Sequence, residues 1–210
     1  MDSSAYIRTR LALHAIAEQL LAGPQFRASG TIRLKPSESG FATIGEPRIA
    51  VRGGQLLVDG LPVGNLDGAT ISGLAKAAGF TPGAPEGVYP QATVITPDEI
   101  LRIDPTHAAT LARAFEMGNH ALKELAPDQT PALWPEHFDL AIVVDEVNYG
   151  VSPGDSSIPE PYAYVGPWTP RTGPFWNQSF GAARPLTELS TAAAVLDFFT
   201  EGMRLASQEK

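Results

Sequence analysis

Arg48-Ile49-Ala50-Val51-Arg52-Gly53-Gly54-Gln55-Leu56-Leu57-Val58-Asp59-Gly60-Leu61-Pro62-Val63 is where an antiparallel sheet first shows itself. Two β-prone runs, Arg48–Arg52 and Gln55–Val58, flank Gly53-Gly54. Both loop positions can take positive φ, which a two-residue hairpin turn with the twist of its strands requires. Asp59-Gly60 repeats the device before Leu61–Val63. The spacing predicts a β-meander within residues 26–71, with Thr31–Lys35 as an earlier strand carrying Ile32 and Leu34 on one face.

Helical signals lie on either side. Ile7, Leu11, Leu13, Ile16, Ala17, Leu20 and Leu21 form an apolar arc over 4–22, which Gly23-Pro24 is expected to stop. Ser72 is a candidate cap for a short helix ending at Gly79, and 80–98 reads as a Pro- and Gly-rich loop. Glu99–Ile103 is a candidate strand. Over 105–125, Asp104 is a natural N-cap and Pro105 sits at the first helical position, where its missing N–H costs nothing. Phe138, Leu140, Ile142 and Val144 alternate as a strand, as do Tyr162, Tyr164 and Trp168, and Phe175–Phe180 is a third candidate. A last helix covers about 188–206, with Leu189, Leu196, Phe199 and Met203 inward.

The pattern predicts an α+β protein. An antiparallel meander or mixed sheet packs with three main helices in a single compact domain over 1–210. Its parts are a helix plus meander (1–71), a central helical part (72–127), an acidic-aromatic β part (128–186) and a C-terminal helix (187–210).

Composition removes several functional classes. The chain has 210 residues, a net charge of −8 and no cysteine, which excludes disulfides and thiolate-metal sites. A surplus of acids argues against a nucleic-acid partner, because phosphate binding needs excess Lys and Arg. Asp2, Arg8, Arg10 and Glu18 interrupt any secretory h-region, and no run is apolar enough to span a membrane, so a cytoplasmic protein with no membrane partner is expected. Asn177-Gln178-Ser179 is then a coincidental glycosylation sequon. No G-x-G-x-x-G, Walker loop or H-E-x-x-H occurs, so dinucleotides, P-loop nucleotides and zincin chemistry lack support and no cofactor is expected; no metal ligand is assigned, and an irregular calcium site at Asp145, Asn148 and Asp155 stays open.

The charge is concentrated. Glu124, Asp128, Glu136, Asp139, Asp145, Glu146, Asp155 and Glu160 fall in a stretch without Lys or Arg, so the rest of the chain is neutral. All three tryptophans, Trp134, Trp168 and Trp176, lie between 134 and 180. Carboxylates beside large rings suit a cleft for a small polar or cationic ligand. The alternative is a solvated acidic face above an aromatic core.

Gly150-Val151-Ser152-Pro153-Gly154 matches the nucleophile elbow only formally. His14, His107, His120 and His137 all precede Ser152, and Pro153 has no N–H for an oxyanion hole, so a Pro-Gly turn is the better reading. An EF-hand counted from Asp145 fails at Val147, Tyr149 and Ser156. His14 reads as a satisfied histidine facing the core. His107 and His120, thirteen residues apart, fall on nearly opposite helix faces.

Glu136-His137-Phe138-Asp139 is the most suggestive cluster. A strand extending back to His137 would put His137 and Asp139 on one face, as a general base and its orienting carboxylate or as two of three metal ligands. Glu136, Asp155 and Glu160 would bind polar groups of a ligand, with Asn148 beside them, and Trp134, Tyr149, Tyr164 and Trp168 would line the walls.

Trp134-Pro135-Glu136-His137-Phe138-Asp139, Asn148–Asp155 and Pro159–Trp168 together resemble an uncharacterised family of actinobacterial conserved proteins in which this stretch recurs. The resemblance covers the C-terminal half and the first helix and implies no activity. Three functions remain open: a small-molecule site with proton-transfer or hydrolytic chemistry, a non-catalytic carbohydrate or small-ligand binding module, and a structural homodimer without a ligand site.

Overall fold

The computed structural model describes residues 3–208 and is an α+β protein whose strand pairings are all antiparallel. Its helices are α1 (Ser3–Ile16), α2 (Gly23–Ser29), α3 (Ile71–Ala78), α4 (Pro105–Leu125) and α5 (Ala192–Gln208), with a π-helical turn at Ala17–Ala22 joining α1 to α2. The strands are β1 (Leu34–Ser37), β2 (Gly40–Thr43), β3 (Ile49–Arg52), β4 (Gln55–Val58), β5 (Leu61–Asn65), β6 (Ala132–Trp134), β7 (Asp139–Val144), β8 (Val147–Ser152), β9 (Tyr162–Pro167) and β10 (Ala182–Pro185). Among the described residues no helix is long and apolar enough to cross a membrane. The chain divides into two compact units, one of residues up to 113 with 133–138, the other of 114–132 with 139 onward.

In the first unit the strands run β6-β1-β2-β3-β4-β5. Gly53 and Gly54 have φ of 54° and 82°, and Asp59 and Gly60 have 50° and 80°, the left-handed pairs both hairpins need. Leu56, Ile49, Val51 and Phe41 are buried. β1 begins only at Leu34, so the alternation read from Thr31 starts three residues too early.

The first helix does not stop at Gly23-Pro24. The chain winds through the π turn, whose Gly23 N–H reaches back to the Glu18 carbonyl, and continues to Ser29 before Gly30 ends it with φ of 74°. The wider turn accommodates the ring and missing N–H of Pro24, which an α-helical turn would reject. Gly23 also lies against the 80–98 loop, since a Cβ there would sit 1.6 Å from the Gly83 carbonyl oxygen.

Two further expectations are corrected. Thr70, not Ser72, caps α3, its side chain accepting from Gly73 N at 3.0 Å. Glu99–Ile103 is no strand: it runs against the turn before α3, through Leu101 N to Ala69 O and Gly68 N to Leu101 O. Asp104 does cap α4, accepting from Thr106 N at 2.9 Å and His107 N at 3.0 Å.

In the second unit the strands run β10-β9-β8-β7. Leu140, Ile142, Tyr149, Val151, Ala163 and Val165 share one buried face by their pairing register. Helices close on this face through glycines: a Cβ at Gly118 of α4 would meet Val151 at 2.7 Å, and one at Gly202 of α5 would meet Val165 at 2.8 Å. Phe175–Phe180 is not a strand. It is a loop with a single bridge from Gln178 to Gly181, and the edge strand β10 follows it.

Candidate functional site

The other face of β7–β9 carries much of the chemistry singled out from the sequence. The register pairs Ala141 with Gly150, Gly150 with Tyr164, Val143 with Asn148 and Asn148 with Gly166. Asp139, Asn148 and Tyr164 therefore share this face, and Trp168, just beyond β9, joins them through Nε1–H to Asn148 Oδ1 at 3.5 Å.

Tyr164 lies across the neighbouring strand. Gly150 makes that possible, because a Cβ there would meet Tyr164 Cζ and Oη at 2.6 Å. The ring thus reaches β7, where its hydroxyl donates to Asp139 Oδ2. Burial, reinforced by the negative charge of Asp139, holds the Tyr164 phenol well above its ordinary value, so it stays a protonated donor. Phe180 stands edge-on to Tyr164, 6.4 Å between ring centres.

The outer part of this face is open. Trp168 is 63% exposed, Val143 45% and Phe180 41%. Asn148 is half-buried between them, and Gly166 leaves bare backbone in the same row. The result is a shallow platform with an indole, an amide and a phenyl ring on a sheet.

The other acids of this unit go to separate tasks. Asp155 organises a loop: Oδ1 accepts from Ser157 N at 2.6 Å and Ile158 N at 2.8 Å, and Oδ2 accepts from the Tyr162 hydroxyl at 2.7 Å. Burial, then that bond, pushes the Tyr162 phenol upward. Glu160 accepts from the Thr187 hydroxyl at 3.2 Å on the surface. Tyr149 is no wall of the platform, because it lies on the helix-covered face, edge-on to Phe199 at 6.0 Å. Burial and the charge of Asp145 push its phenol up to about 12. It borders a hollow of about 70 Å³ shared with Asp145, Glu146, Arg171 and Met203. That is room for two or so waters, well below the ~300 Å³ of a drug-sized pocket.

Trp134, Glu136 and His137 belong to the first unit. The strand does not extend back to His137. Residues 135–138 form a turn, Phe138 has φ of 54°, and β7 starts at Asp139. The alternation that would align His137 with Asp139 is therefore absent. The His137 side chain is 72% exposed, 3.8 Å from Glu136. Trp134, on β6, carries the Arg33 guanidinium 5.3 Å above its ring. His14 is satisfied: Nε2 lies 2.7 Å from the Pro135 carbonyl, and the ring stacks on Phe138 at 5.2 Å. Burial pulls its pKa below the ordinary histidine value, so the neutral ring donates to that carbonyl.

Sequence reasoning passed over Glu18. This fully buried carboxylate accepts from Ala92 N at 2.8 Å, Thr93 N at 3.2 Å and Thr93 Oγ1 at 2.6 Å. Its neighbour Gln19 donates to the Ile95 carbonyl at 3.0 Å. The available signal was an acid inside an apolar arc. Among the described residues no group of three or more His, Asp or Glu side chains could hold a metal ion.

Compared with family models, with curated proteins and with solved structures, the chain finds no match.

Proposed function

We propose that the protein is a non-catalytic binding module that takes a carbohydrate on the outer face of β7–β9. The observation that carries this is Trp168, an indole 63% exposed whose N–H points at Asn148. A sugar ring offers an apolar C–H face and a rim of hydroxyls. An exposed indole matches the first, and an amide with both donors and an acceptor matches the second. Phe180 and Val143 extend the apolar floor.

Binding without turnover is favoured over hydrolysis because the proposed base, His137, sits in an exposed turn with Glu136 as its neighbour. A positioned base needs an orienting partner on a rigid element.

The test is a glycan array followed by titration of the hits, read by tryptophan fluorescence. Trp168→Ala is expected to weaken binding by about thirtyfold, the scale of an aromatic anchor worth ~2 kcal/mol, with unchanged thermal stability. A blank array overturns the reading. So does a self-associating protein whose Trp168→Ala variant becomes monomeric by sedimentation, because a second copy would then cover the platform.

A further inference from the structure

A separate groove of about 610 Å³ lies in the first unit, where α1 passes the segment leading into α4. Arg8, Thr9, Asp67, Arg102 and Asp104 supply its polar lining, and Ala5, Ile103 and Pro105 its apolar part. We infer that this groove binds a small polyanion, a phosphorylated or polycarboxylate compound, between Arg8 and Arg102.

Some of the polar groups lining the groove are already committed to the fold. Asp67 Oδ1 accepts from Ile103 N at 2.8 Å. Asp104 Oδ1 accepts from two amides of the first turn of α4, and Asp104 N donates to Thr9 Oγ1 at 3.0 Å. One oxygen of each carboxylate and the threonine oxygen are thus engaged in fixing the backbone that shapes the groove. The cations are not. Arg8 has a single bond, to Ser4 Oγ one turn back on its own helix at 3.2 Å. Arg102 makes no hydrogen bond or ion pair among the described residues. Other arginines of the unit differ: Arg48 lies 3.2 Å from Glu46 and 3.3 Å from Asp59.

Two arginines line one concavity, and the guanidinium fork matches the planar oxyanion geometry of phosphate and carboxylate. The volume lies within the ~300–1,000 Å³ of small-molecule sites, so the ligand has a body as well as a charged group, and Ile103 and Pro105 provide apolar surface for it. A nucleic-acid backbone is the poorer occupant, since it needs a track of cations and the chain carries a net charge of −8.

Pyrophosphate titrated into the intact chain by calorimetry tests this. Arg8→Gln and Arg102→Gln are each expected to weaken binding about tenfold, the value of one charge-assisted contact, and the double variant to abolish it. Arg48→Gln and Trp168→Ala are expected to bind as the parent does, the latter separating this site from the carbohydrate platform. No heat at millimolar pyrophosphate overturns the inference, and so does a double variant of parental affinity. An equal loss in Arg48→Gln would also overturn it, since binding would then follow bulk charge.

Discussion

Replacing Gly150 by alanine strikes the contact on which the β7–β9 face is built. The added methyl would lie 2.6 Å from Tyr164 Cζ and Oη and 2.7 Å from the Leu140 carbonyl oxygen. The Leu140 oxygen belongs to a paired strand and cannot retreat, so the tyrosine ring must move. Forcing a methyl into such a site costs about 1–3 kcal/mol. Lifting the ring also breaks the phenol-to-Asp139 bond, a charged hydrogen bond worth about 1.5–3 kcal/mol. Together they remove roughly 4 kcal/mol, a large part of the ~5–15 kcal/mol that holds a typical protein folded. Urea titration followed by circular dichroism reads this as a midpoint lower by about 2 M, at a slope near ~2 kcal/mol/M. Tyr164→Phe, which keeps the ring and loses only the bond, is expected to fall about half as far. Gly150→Ala placed on a Tyr164→Ala background is expected to cost less than on the parent, because the ring it strikes is gone. A midpoint shift under ~0.5 M for Gly150→Ala on the parent would refute the close-contact argument.

Two further outcomes are expected in the first unit. Glu18→Gln keeps the shape but replaces a charged acceptor of three donors, so a loss of about 2–3 kcal/mol is expected, with faster proteolysis confined to the 80–98 loop; uniform cleavage along the chain would count against the clamp. His14 titrates below its unfolded value, so the unfolded chain takes up the proton first as pH falls. His14 therefore lowers stability progressively below pH ~6.5, by no more than ~1.4 kcal/mol per pH unit. His14→Gln, which can still donate to the Pro135 carbonyl, is expected to flatten that acid limb in pH-dependent urea titrations, and an unchanged slope would contradict the buried neutral ring.

Local chemistry was legible wherever a signal and its consequence lay within a few residues. Gly53-Gly54 and Asp59-Gly60 announced hairpins because positive φ is intrinsic to those residues in tight turns. Asp104-Pro105 announced α4 because a cap acts on the next two amides. The same local reasoning misjudged Gly23-Pro24, since the Gln19 carbonyl inside the π turn takes its hydrogen bond from Gly83 N of a loop some sixty residues on, at 3.0 Å. It misjudged His137 as well, because a left-handed Phe138 breaks the alternation and no residue type there demanded it.

The platform proposed for a carbohydrate was half visible. Asn148, Tyr164 and Trp168 stood out as residue types, yet nothing in their spacing says that Tyr164 crosses a strand to Asp139, twenty-five residues away. That follows from the pairing of β8 with both neighbours, which sets Gly150 directly beneath the ring. The order of residues along this chain determined its two glycine hairpins, the cap of α4, its antiparallel meander and the concentration of acid and ring in one segment. Which acids face a phenol, which bind backbone and which stand open was decided only by strand register and packing, because those choices depend on partners distant in sequence.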